Sequence, residues 1–171
     1  LFEIEVPKSS KYAKNFLKIA ASNTLNISPK FKKNFNAKVT VHYPFGLCKY
    51  NSRIRQSGDW KDHISMTAGG KLIRSLDIKL KSGNILGSVK FKLLIPETRQ
   101  GINEILATLI LKQSGFLSPE TFEIQTIVNG SKATMLFQEN AHKELLEKNF
   151  RPESAIFEGD EDLLWSFQDF D

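Results

Sequence analysis

Residues 74–95 read RSLDIKLKSGNILGSVKFKLLI, and this stretch limits the fold more than any other. Leu76, Ile78 and Leu80 alternate with Asp77, Lys79 and Lys81. That is the period of a strand with one dry and one wet face. After a Ser-Gly-Asn turn, Val89, Phe91, Leu93 and Ile95 alternate with Lys90 and Lys92, and Pro96 ends the run. Half-wet strands joined by short turns predict an antiparallel sheet rather than a parallel βαβ array.

Further segments extend the sheet. AKVTVHY (37–43) alternates in the same way. TFEIQTIV and KATMLFQE are joined by Asn129-Gly130, a strong hairpin signal because a type I′ turn needs positive φ at both positions. YNSRIRQS (50–57) is polar on both faces except at Tyr50 and Ile54, which predicts an edge strand or one lying over a site. FEIEV (2–6) is strand-like, and SSKYAKNFLKIAASNT (9–24) carries helical spacing behind a capping serine. In TRQGINEILATLILKQSGF, Ile102, Ile105, Leu106, Leu109 and Ile110 form an apolar stripe. NAHKELLEKNF reads as a short helix, and EGDEDLLWSFQDFD as an acidic, aromatic tail.

The expected fold is α+β: an antiparallel sheet of about five strands with helix 101–114 packed across it. Ile78, Phe91, Leu93, Ile105, Leu109, Ile124 and Phe137 are its predicted core. Segment 1–36 reads as a strand and helix lead-in, 37–139 as the sheet and its helix, and 140–171 as a closing helix and tail.

Composition narrows the function. Thirteen Phe and a 40% hydrophobic content can fill a core. The net charge of +5 is interspersed with acid, and PKFKKNF (29–35), the densest basic run, reads as solvated surface, so no nucleic-acid partner is expected. Cys48 is the only cysteine, which excludes an intrachain disulfide and a Cys-based zinc site. His42, His63 and His142 fall in no metal-ligand spacing, so no metal site is expected. No run approaches the length of a membrane span. The abrupt start, with neither Met nor a signal pattern, suggests a chain cut from a longer protein. Gly-x-Ser-x-Gly and Gly-x-Gly-x-x-Gly patterns are absent.

The lysines leave two readings open. A sheet lysine paired with a glutamate from a packed helix is one way to hold nucleotide phosphates. Lys79 or Lys90 with Glu104 has that disposition. The plain alternative is a solvated sheet face. RIRQSGDWKDH (53–63) is similarly open: Arg53 and Arg55 share a strand face and can meet phosphate, while Asp59, Asp62 and His63 read as turn and capping residues.

The ordered series SRIRQSGDWKDH, RSLDIKLKSGNILGSVKFKLLIPETR, NEILATLILKQSGFLSPETFEIQTIVNG, LFQEN and AIFEGDEDLLW, residues 52–165, resembles the CotH-like kinase family, relatives of spore-coat protein H. The resemblance implies an atypical protein-kinase fold that binds ATP with Mg and phosphorylates protein, with this chain as the N-terminal lobe. It implies that Lys79, Lys90, Arg53, Arg55 and Glu104 surround the nucleotide, with Glu139 leading to the hinge. The family's catalytic and metal-holding aspartates follow this region, so no catalytic residue is assigned here and the chain alone should be inactive. The sequence also lacks the glycine that many relatives place after Arg55. Bacterial members lie near surface-polysaccharide genes, which leaves the cytoplasm or the cell surface open and the protein substrate unnamed. Two alternatives stand beside it: a non-catalytic, pseudokinase-like module in coat or polysaccharide assembly, and a small carbohydrate-associated domain unrelated to kinases.

Overall fold

The computed structural model describes residues 1–66 and 69–157 of the chain. In order the elements are β1 (Phe2–Glu5), α1 (Ser9–Ala20), β2 (Phe35–Tyr43), β3 (Gly46–Gln56), β4 (Ile64–Met66), β5 (Leu72–Arg74), β6 (Leu76–Leu80), β7 (Lys90–Leu94), α2 (Asn103–Gln113), β8 (Thr121–Val128), β9 (Ser131–Glu139) and α3 (Lys143–Lys148).

Seven strands close into a barrel in the order β1-β2-β3-β6-β7-β9-β8, and β4 pairs with β5 beside it. Every barrel pairing is antiparallel except the one that closes it, where β1 runs parallel to β8 with Phe2 opposite Thr126 and Ile4 opposite Val128. Alternation decides what fills the interior. Phe2 and Ile4, Val39 and Val41, Ile54, Leu76 and Ile78, Phe91 and Leu93, Met135 and Phe137 all lie in one buried cluster. Phe137 stacks on Phe91 at 4.8 Å and on Phe122 at 4.7 Å, and Phe2 meets Phe91 and Phe137 edge-on at 6.1 Å.

Two interactions pin β1 to the β8–β9 turn. Asn129 N–H donates to the Ile4 carbonyl at 2.9 Å, and Val6 N–H donates to Asn129 Oδ1 at 2.8 Å. The turn has φ of +46° at Asn129 and +81° at Gly130, the two positive values that a type I′ hairpin needs.

This architecture overturns the expected five-stranded sheet with one long helix across it, and with it the kinase-like N-terminal lobe. The barrel is closed, and the three helices among the described residues are short. The expectation failed at two places. Segment 1–36 was read as a lead-in, but its strand completes the barrel. Helix α2 does not bury its apolar stripe: Leu106 and Leu109 are each 49% exposed and Ile110 63%, whereas Thr108 is buried. Leu109 is therefore not a core residue, and Ile105 is only half-buried. Of the other expected core residues, Ile78, Phe91, Leu93 and Phe137 are wholly buried, and Ile124 packs against them. Strand β3, expected at an edge or over a site, is not an edge strand: it is flanked by β2 and β6. The tail beyond residue 157 lies outside the described residues. Among the described residues no helix is long and apolar enough to cross a membrane.

Candidate functional site

The barrel's interior alternation fixes what its outer face carries. With Ile54, Ile78 and Phe91 opposite one another inside, the neighbouring residues of β3, β6 and β7 point outward. Register then aligns them. Arg53 lies opposite Lys79, and Lys79 opposite Lys90, so three cations form one row across three strands. The next row is Arg55, Asp77 and Lys92, continuing to Gln138 on β9.

Asn34, Arg53, Arg55, Asp77, Lys79 and Lys90 line a hollow of about 230 Å³ on this face. Its one carboxylate is already engaged. Arg55 Nε and Nη2 both donate to Asp77 Oδ2, at 2.9 and 2.7 Å. Among the described residues Arg53, Lys79 and Lys90 have no ion-pair partner. Like charges directly opposite on a sheet repel. Lys79 has a cation on each side, so the row is an arrangement that an anion relieves.

The structure thus brings together four of the six residues singled out from the sequence: Arg53, Arg55, Lys79 and Lys90. The other two are elsewhere. Glu104 on α2 accepts a hydrogen bond from Gln138 Nε2, so the expected pair with Lys79 or Lys90 does not form. Glu139 is 3% exposed and points inward at the barrel end, where it accepts hydrogen bonds from the Ser88 hydroxyl at 2.9 Å and from Lys148 Nζ at 2.7 Å. Asp77 and Asn34 were not anticipated. The alternation in RSLDIKLK placed Asp77 on the same face as Lys79, and that was the available signal. Nothing in the sequence places Asn34, which precedes β2, beside β3.

RIRQSGDWKDH divides into two parts. Arg53 and Arg55 belong to the basic face. The remainder ties the 22–34 loop to the barrel. Asp59 pairs with Lys32, its carbonyl accepts from Ile27 N–H, Lys61 N–H donates to the Leu25 carbonyl, and Lys61 Nζ donates to the Ser22 carbonyl. His63 is buried, with Nδ1 2.9 Å from the Ser75 hydroxyl oxygen, which itself accepts from Ile95 N–H at 3.0 Å. Burial holds the His63 pKa below the usual histidine value, with Arg99 and Lys32 adding to the effect and Asp62 and Asp59 opposing it. A neutral imidazole in a fully packed network is a structural group.

No protein-family model and no curated protein matches the chain.

Proposed function

We propose that the basic outer face of the barrel binds the phosphates of a nucleoside triphosphate, and that the chain is the nucleotide-binding part of a CotH-like protein phosphotransferase. One observation carries this reading: Arg53, Lys79 and Lys90 converge in cross-strand register, and the only carboxylate among them is neutralised by Arg55. Charged hydrogen bonds to phosphate are the strong ones, and an arginine beside two lysines supplies both planar and point-charge donors.

The residues fit phosphate, but they do not fit a divalent metal. Asp77 is committed to Arg55, and among the described residues no three His, Cys, Asp or Glu side chains come together. A second reading, a binding module without phosphotransfer, is favoured by Glu104, which holds Gln138 instead of a lysine.

Calorimetric titration of the chain with ATP, with and without magnesium, tests the proposal. Loss of one charged phosphate contact in Lys79→Ala, Lys90→Ala or Arg53→Ala weakens binding by about 1.5–3 kcal/mol. Wild-type affinity in all three variants reduces the row to a solvated face. Equal binding of ATP and tripolyphosphate would assign the site to phosphate alone.

A further inference from the structure

Arg74, the last residue of β5, stands apart from the basic face. It is only 4% exposed, and among the described residues no carboxylate pairs with it. Its Nη1 donates to Asn15 Oδ1 at 3.0 Å and its Nη2 to the Tyr12 carbonyl at 3.2 Å. The guanidinium carbon sits 3.5 Å from the centre of the Tyr12 ring and 5.9 Å from that of Phe16. Arg74 Nε and the Tyr12 hydroxyl are both buried without a hydrogen-bond partner.

These contacts position the cation without neutralising it. Two neutral acceptors and two ring faces soften the loss of water, but a buried charge with no counter-charge remains strongly disfavoured. A cavity of about 360 Å³ adjoins it, between α1, residues 70–74 with β5, and the β8–β9 hairpin. That volume lies within the roughly 300–1,000 Å³ usual for small-ligand sites. Its walls include Phe16, Leu72, Ile73, Val128, Ala133 and Met135. Burial raises the Tyr12 pKa, although Arg74 opposes this, so the hydroxyl keeps its proton and remains a donor.

We propose that this cavity binds a small organic monocarboxylate with an apolar body, and that Arg74 is its counter-ion and the Tyr12 hydroxyl its second donor. The charge match selects the class. Arg74 offsets one negative charge; Lys71 also lines the cavity, but its Nζ is held by the Gly130 carbonyl at 2.8 Å, and the apolar walls disfavour burying a second charge. The site shares no lining residue with the basic outer face, so it stands or falls separately from nucleotide binding.

The test titrates the chain with 4-phenylbutyrate and octanoate and with their primary amides, followed by amide NMR shifts. The carboxylates saturate shifts in α1 and the β8–β9 turn, and the amides bind at least about tenfold more weakly. Arg74→Met abolishes that preference. Because Arg74 also holds α1, two milder variants keep the test independent of folding. Ala13→Trp, at an exposed helix position lining the cavity, blocks binding of both carboxylates. Tyr12→Phe keeps the ring and weakens the carboxylate more than the amide, because the hydrogen bond to the charged acceptor is the stronger. Carboxylates that fail to bind the folded wild type, that bind no better than the amides, or that bind Ala13→Trp as well as wild type overturn the proposal. Tighter binding of phenyl phosphate than of either carboxylate at these resonances overturns the assigned class.

Discussion

Lys148 on α3 places its Nζ 2.7 Å from the Glu139 carboxylate, a side chain 1% exposed at the end of β9. Lys148 Nζ also donates to the Leu86 carbonyl at 3.0 Å, so one ammonium ties α3 to both the barrel and the β6–β7 connection. Removing the lysine leaves a buried carboxylate with only Ser88 and the Glu120 amide. Lys148→Met should cost about 3–5 kcal/mol in denaturant unfolding. Adding Glu139→Gln should recover part of that loss, and a double variant no more stable than the single one would show the pair is not the cause.

His63 should give the protein an acid-sensitive step. Its folded-state pKa is depressed, so protonation disfavours the folded state. The contribution of the neutral ring is complete above about pH 6.5 and declines as pH falls through that value toward the lower folded pKa. Unfolding free energies of wild type and His63→Gln, measured from pH 8 to pH 5, should converge on acidification. A constant difference across that range would refute the assignment.

Gly58 approaches that same ring. Its φ is +82°, and a Cβ there would fall 1.9 Å from His63 Cδ2. Gly58→Ala should destabilise by more than about 1 kcal/mol, since strain and displacement of a buried ring act together. Unchanged thermal unfolding would show that the loop yields.

The barrel and α2 should respond differently to truncation. Phe137→Ala removes a ring wholly buried between Phe91 and Phe122 and should cost about 3–5 kcal/mol. Leu109→Ala, at a half-exposed position, should cost no more than about 1 kcal/mol. Comparable losses would mean that α2 is packed more deeply than its exposure indicates.

Asp77→Asn should tighten binding of ATP to the basic face by about 1 kcal/mol or more, because it removes the one competing charge and frees Arg55. Weaker binding in calorimetry would show that Arg55 must be held by Asp77 to work.

Much of the sheet was legible because strand alternation is local. The β6 and β7 runs and the Asn129-Gly130 turn each carry their own signal. Closure was not legible, because it depends on Phe2 and Ile4 meeting Thr126 and Val128, a pairing that no local pattern specifies. The α2 error has a different cause. NEILATLILKQ is apolar on most sides, so its period does not select a face. The side it turns inward is polar: Glu104 accepts from Gln138, and buried Thr108 donates its hydroxyl to the Glu104 and Ile105 carbonyls at 3.0 Å. At the basic face, parity showed which residues share a side, but only register could show that Arg53, Lys79 and Lys90 share a row.

The parallel seam between β1 and β8 also has a cost in chain entropy. Neighbouring pairs such as β2–β3 and β8–β9 close small loops and form at little entropic cost. The seam joins strands separated by most of the described chain, so its closure carries the largest entropic cost of any pairing in the barrel. During synthesis β1 emerges long before its parallel partner. Until β8 arrives, β1 presents an unpaired edge, and this interval is when the nascent protein is most exposed to pairing with another copy.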